Sequence, residues 1–229
     1  MKTPILFFKT GLFLAASVLS LNAAPILSEP FDKLPASEKW KADASVTVAD
    51  GSLVLTASGM NTGYANSVFV MKAGDPRLDF TAKPLEIELR DVAVGGTAAP
   101  GDSVMVMIFS ANSPGEGNSS SYLKLRLSDN GNLLLMCGAV GTKEATIHTL
   151  ATKLTPPLKN LKLRFSATDF SIKGTDAAQE FSGAGKWTEA FNVAAWTGAS
   201  PYLMFRSVRR PGEGQSEVKI GALTVTNVP

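Results

Sequence analysis

Charged and aromatic side chains at alternate positions are the first residues of this sequence that could do chemistry. Glu86, Glu88 and Arg90 alternate with Leu85, Ile87 and Leu89, and Tyr122, Lys124 and Arg126 alternate with Leu123, Leu125 and Leu127. Lys162 and Arg164 repeat the arrangement further along. A period of two belongs to a β-strand, so each set stands on one side of its strand. Sugar recognition asks for such a surface, with aromatic faces against the apolar side of a ring and hydrogen-bonding or charged groups at its edges. The densest basic cluster lies within residues 206–215 and contains Arg206, Arg209 and Arg210. Its proline and glycines make a projecting turn, and guanidinium forks match carboxylate or sulfate bidentately. A Lys/Arg-rich face of this kind suits acidic or sulfated glycans. The alternative for every one of these residues is solvation alone, because a sheet face in water must carry polar side chains.

Other chemistries have less to stand on. His148 is the only histidine, which excludes a histidine-based metal cluster. Cys137 is the only cysteine, so no internal disulfide forms, and its place in the apolar run 133–137 makes it a small core residue. Glycine-rich phosphate loops, a serine nucleophile motif and zinc spacing are absent.

The elements that must hold these residues are short strands. Residues 46–48 and 52–57 flank Asp50-Gly51, a preferred pair for a two-residue hairpin turn. Residues 66–71, 85–92, 104–109, 122–127, 133–137, 145–150, 161–167, 170–173, 202–208 and 217–226 read as further strands. The 104–109 run is apolar on both sides and is expected at the centre, covered on both faces. Residues 112–121, rich in Ser, Gly and Asn, are expected to form a flexible solvated loop. Gly183-Ala184-Gly185 reads as a turn, and 191–196 as the only helical candidate. Trp187 and Trp196 read as plugs for an end of the fold rather than as rim platforms. The pattern is all-β, a two-sheet antiparallel jelly-roll sandwich spanning residues 24–229 as a single domain.

Residues 1–23 carry two lysines, no acid and an apolar segment too short to span a membrane, which is the pattern of a cleaved signal peptide. The protein is therefore expected to be exported, to the periplasm, cell surface or beyond, with no integral membrane segment after cleavage. The chain has 22 basic and 20 acidic residues. Lys2 and Lys9 leave with the signal, so the remainder has no net charge and no global field to attract nucleic acid.

The order of these runs resembles the concanavalin A-like lectin/glucanase superfamily, which includes laminin-G-like jelly rolls, in its exported bacterial single-domain form. The resemblance is carried by Phe31-Asp32 with Trp40, the hairpin at 46–55, and residues 84–90, 161–172 and 218–225. It implies two curved antiparallel sheets with glycan bound on the concave face or its rim. Retaining glucanases of this superfamily place three acids at alternate positions of one strand; Glu86 and Glu88 match two of them, but Arg90 stands third and cannot serve as an acid. Alginate-lyase-type relatives use Arg-x-Glu-x-Arg, Gln-Ile-His and Tyr-x-Lys strands. Glu88-Leu89-Arg90, Ile147-His148 and Tyr122-Leu123-Lys124 echo these, with Glu86 and Thr146 as departures. His148 and Tyr122 would be the base and acid if the fold brought them together. Related jelly rolls often hold calcium, for which Asp32 and Asn227 are the candidates here.

The reading that asks least is an exported, non-catalytic carbohydrate-binding jelly roll with no cofactor beyond a possible structural calcium. Polysaccharide or glycan is its expected partner, held by Glu86, Glu88, Arg90, Tyr122, Lys124 and Arg126 on one charged concave face and by Arg206 and Arg209 of the basic loop. The alternatives are a polysaccharide lyase, then a glycoside hydrolase, of the same fold, or an envelope or matrix interaction protein.

Overall fold

A computed structural model describes residues 24–59, 63–149 and 153–229. The expected signal peptide, residues 1–23, and Leu150 of the expected strand 145–150 lie outside them. Among the described residues there are sixteen strands: β1 (Leu27–Glu29), β2 (Trp40–Ala42), β3 (Val46–Ala49), β4 (Ser52–Ala57), β5 (Ala65–Met71), β6 (Leu85–Gly96), β7 (Ser103–Ser110), β8 (Tyr122–Ser128), β9 (Leu133–Gly138), β10 (Ala145–Thr149), β11 (Leu158–Phe165), β12 (Asp169–Thr175), β13 (Glu180–Lys186), β14 (Tyr202–Arg209), β15 (Ser216–Ile220) and β16 (Ala222–Asn227). Two 3-10 turns, Pro76–Leu78 and Val193–Trp196, are the only helical elements described, and the second falls within the expected helical candidate.

All pairings are antiparallel and form two sheets. One runs β10-β9-β8-β7-β14-β5-β2. The other runs β13-β12-β11-β6-β15-β4-β3, with β16 also against β6 and β1 against β16. β6 is long enough to pair with β16 along residues 85–90 and with β15 along residues 93–96. Asp91 sits at the handover with φ 51°, a left-handed conformation that short polar side chains tolerate. The β3–β4 turn follows the sequence expectation: Asp50 and Gly51 both have positive φ, as a two-residue hairpin turn requires.

The core lies between the sheets. Leu123, Leu125, Leu127, Met105, Met107, Phe109, Leu203 and Phe205 from the first sheet meet Leu85, Ile87, Leu89, Leu161, Leu163 and Phe165 from the second. One end is closed by aromatic rings: Trp196 is fully buried against Phe80 and Phe109, each at 4.8 Å, and Trp187 packs on Phe191 and Phe170. Their indole N–H groups donate to Ser121 Oγ and Ser166 O. Both tryptophans are therefore plugs.

Two sequence expectations are corrected. Residues 183–185 are not a turn but the middle of edge strand β13. A Cβ on Gly183 would lie 2.1 Å from His148 Nε2, and one on Gly185 would lie 2.9 Å from Phe170 Cζ, so these glycines let neighbouring rings lie against the strand. Residues 112–121 are not wholly solvated: Gly115, Ser119 and Ser121 are buried, and the segment lies back on the seven-stranded sheet. β7, as expected, is buried along its whole length.

Candidate functional site

The outer face of the seven-stranded sheet is where chemistry-bearing side chains collect. β8 turns Leu123, Leu125 and Leu127 inward, so Tyr122, Lys124 and Arg126 face out. Neighbouring strands are in register, and side chains in a cross-strand row point the same way. One row runs Leu134, Arg126, Val106, Arg206, Val68, and the next runs Met136, Lys124, Ile108, Met204, Val70. Arg126 and Arg206 thus flank Val106, about 9.5 Å apart at the backbone, which is two strand spacings.

Val70, Val104, Val106, Ile108, Tyr122 and Met204 form a small apolar cluster on this face. A hollow of about 540 Å³ opens above part of it. Val104, Val106, Val208 and Met136 supply its apolar lining, Tyr64 and Asn66 stand at one side, and Lys124, Arg126, Arg206 and Arg210 face only Glu116 and Glu144. Tyr64 is 64% exposed, an aromatic face open to solvent.

The charges are unevenly matched. Lys124 Nζ contacts Glu116 at 2.7 Å and also Glu144. Arg206 Nη2 reaches Glu116 at 3.2 Å. Among the described residues the half-buried Arg126 and Arg210 side chains have no ion pair and no hydrogen bond. The Tyr122 phenol donates to Glu144 at 3.0 Å and lies over Gly138, where a Cβ would sit 2.4 Å from its oxygen. Burial, reinforced by the bond to Glu144, pushes this phenol well above its ordinary range, so it keeps its proton.

The expected single charged face is in fact two opposite surfaces. Lys124, Arg126 and Arg206 line the hollow, whereas Tyr122, expected with them, is buried in the apolar cluster of the same face and does not line it. Glu86, Glu88 and Arg90 stand on the outer face of the nine-stranded sheet, across from Lys162 of β11. Lys162 Nζ contacts Glu86 at 3.2 Å and Glu88 at 3.1 Å, and Arg90 contacts Glu88 at 2.8 Å. Burial pushes the Glu88 carboxyl up, but its bonds to Arg90 and Lys162 outweigh that and hold it below the usual range.

Arg209 also departs from expectation. It follows the inward-facing Phe205 and Ser207, is fully buried, and donates from Nη2 to Gly59 O at 3.2 Å. The next residue, Arg210, reaches the hollow instead, and the 206, 208, 210 alternation was the signal for it. Glu116, Glu144 and Tyr64 carried no strand periodicity to mark them.

His148 and Tyr122 do not meet. A bulge between Thr146 and His148 shifts the β10 register, pairing Thr146 with Met136 and His148 with Leu135. This turns His148 toward the inner side, against Gly183 and edge-on to Phe170 at 6.0 Å. The acid–base pair a lyase would need is thus not assembled from these two residues. Nor do Glu116 and Glu144 flank open space, since the Lys124 ammonium contacts both.

Comparison with solved structures places the architecture. The lectin UEA-II complexed with galactose superposes with a TM-score of 0.60 at 12% identity, covering 90% of this chain and 100% of that one. The exoplasmic/lumenal domain of VIP36 in its Ca2+/Man3GlcNAc-bound form gives 0.58 at 11% identity, covering 88% of each chain. SCLam, a non-specific endo-β-1,3(4)-glucanase of family GH16, gives 0.56 at 11% identity, covering 90% of this chain and 91% of that one. At these identities the likeness establishes the fold alone. No protein-family model and no curated protein matches the sequence.

The donors present do not fit the calcium expectation. The β1–β16 register, Leu27 opposite Val225 and Glu29 opposite Leu223, carries Asp32 and Asn227 away from each other. Asn227 Nδ2 instead donates to Arg77 O at 3.4 Å. Among the described residues no group of three or more His, Cys, Asp or Glu side chains is placed to share a cation.

Proposed function

We propose, for a chain whose fold is the concanavalin A-like two-sheet jelly roll, that it binds an acidic glycan in the hollow of the seven-stranded sheet and does so without turnover. The observation that carries this reading is the pair of half-buried guanidiniums, Arg126 and Arg210, that have no counter-charge among the described residues. A guanidinium held in a partly desolvated hollow is matched best by a carboxylate or sulfate, which accepts two parallel hydrogen bonds. Val104, Val106 and Val208 offer the apolar floor that a sugar ring covers, and exposed Tyr64 offers a stacking face at the rim. The absence of turnover is supported by the placement of His148 and by the ammonium between Glu116 and Glu144. The signal-peptide pattern of residues 1–23 supports an exported protein that meets polysaccharide outside the membrane.

Titration calorimetry with oligogalacturonate, dextran sulfate and neutral dextran tests the proposal. Binding of one or both anionic polymers, none of neutral dextran, and a loss of about tenfold or more in Arg126→Ala/Arg210→Ala support it, since one charge-assisted bond is worth about 1.5–3 kcal/mol. Equal binding of neutral dextran overturns the acidic class. A rise in ultraviolet absorbance from unsaturated uronates during incubation overturns the absence of turnover.

A further inference from the structure

The segment between β7 and β8 is a strap across the proposed site. Its base is closed where Ala111 N donates to Ser121 O at 2.9 Å, so residues 112–120 leave and return at one point, as in a compact surface loop. Its C-terminal limb is anchored: Val140 N donates to Ser119 O at 2.8 Å, and Trp196 Nε1 donates to Ser121 Oγ at 2.9 Å. The tip is held differently. Gly115 has φ 97°, and a Cβ there would lie 2.9 Å from Met204 Cε, so glycine lets the strap settle on the sheet. Glu116 then extends its carboxylate between Lys124 at 2.7 Å and Arg206 at 3.2 Å.

We infer that Glu116 is a built-in competitor, a carboxylate that occupies one anion subsite of the hollow and is displaced by an acidic group of the bound glycan. The inference rests on the reading of the hollow as an acidic-glycan site and deepens it. Three observations carry it. First, Arg206 meets Glu116 through Nη2 while its Nε is buried with no hydrogen-bond partner, so the present pairing leaves a donor that a bidentate ligand group would satisfy. Second, Lys124 already holds Glu144, so losing Glu116 does not strand its charge. Third, 31% of the Glu116 side chain is open to solvent, which gives the carboxylate a way out of the hollow, and its buried Oε2, although 2.7 Å from the Lys124 ammonium, has no aligned hydrogen bond. The strap is therefore closed by a carboxylate that leaves donors on both sides imperfectly matched and that has a route to solvent. Arg126 and Arg210 receive one acidic group with no competitor, and the Lys124–Arg206 pair receives a second only when Glu116 leaves. The hollow then selects a chain with at least two acidic groups over a single acidic sugar.

Hydrogen exchange and affinity, measured on the full chain with galacturonate and oligogalacturonate as probes, test this. Oligogalacturonate is expected to accelerate exchange in residues 112–118 while protecting β8 and β14; the monomer is expected to leave the strap closed. In Glu116→Gln the free protein should already exchange quickly in the strap and should bind the oligomer about fivefold more tightly, because the competent state no longer has to be released. Unchanged or weaker binding by Glu116→Gln, or greater strap protection on binding, overturns the inference and leaves the acidic-glycan reading standing. If the wild-type protein binds neither oligogalacturonate nor dextran sulfate, the reading and the inference fall together.

Discussion

The two outer faces of this sandwich are built from the same local pattern and end in opposite electrostatic states. On the nine-stranded sheet, Glu86, Glu88, Arg90 and Lys162 neutralise one another across two strands. On the seven-stranded sheet, Lys124, Arg126, Arg206 and Arg210 surround an apolar floor with only two carboxylates among them. The difference lies in what stands next door. β6 meets β11 with Glu88 opposite Lys162, whereas β8 and β14 are separated by β7, whose outward residues are Val104, Val106 and Ile108. An apolar strand between two basic ones keeps their charges apart: Lys124 and Arg206 are met only by Glu116 and Glu144 from outside these strands, and Arg126 by no carboxylate among the described residues. A surface whose charges are satisfied internally has little to offer a ligand, and one whose charges are held apart does.

The largest effect that separates the faces is on stability. Ile108→Ala, in the buried apolar cluster of the seven-stranded sheet's outer face, is expected to cost about 2–4 kcal/mol, whereas Ser171→Ala on the opposite face should stay within about 0.5 kcal/mol; urea unfolding reads both. If the two variants unfold alike, the residues under this face are not a second packed cluster. Next comes binding. Arg126→Ala with Arg210→Ala should weaken oligogalacturonate binding about tenfold or more, and Lys162→Ala less than about twofold. Added salt should weaken wild-type binding, because partly exposed charges are screened. A larger loss in Lys162→Ala would move the site to the other face.

A smaller effect concerns the phenol under the rim. Tyr122→Phe removes the hydrogen bond to Glu144 and should cost about 0.5–1.5 kcal/mol in chemical denaturation while leaving oligogalacturonate binding within about twofold. Abolished binding would make Tyr122 a ligand contact rather than a support. The smallest effect is on the paired face. The folded-state value of Glu88 lies below the ordinary 4.5, so its pairing contributes fully above that pH and is lost as pH falls through the depressed value. Glu88→Gln should therefore be less stable than wild type by about 0.5 kcal/mol at neutral pH, with the gap closing in strong acid. Thermal melts across pH check this, and a gap that persists in acid would assign it to packing.

Much of the fold was legible from periodicity. The hairpin at Asp50-Gly51, the doubly covered β7 and the alternation of β6, β8 and β11 each follow from a local rule about where side chains point. The edge strand β13 was hidden because its glycines read as a turn, and their purpose appears only with His148 and Phe170 beside them. The bulge in β10 was equally invisible, since one inserted residue inverts the face of His148 without changing composition. The strap was misread because small polar residues resemble solvated linker until Gly115 and Glu116 are seen against Met204, Lys124 and Arg206.

The sequence by itself determined that the chain is a series of alternating strands and which residues share a side of each strand, Tyr122, Lys124 and Arg126 among them. Only the tertiary structure decided that Arg126 and Arg206 flank one hollow, that Glu86, Glu88 and Arg90 face the other way, and that Arg210 rather than Arg209 lines that hollow. The reason is range. Side-chain alternation is fixed by the backbone within a few residues, whereas the partner across a sheet is chosen by register between segments as distant as Arg126 and Arg206, and one slipped or bulged residue reverses a face.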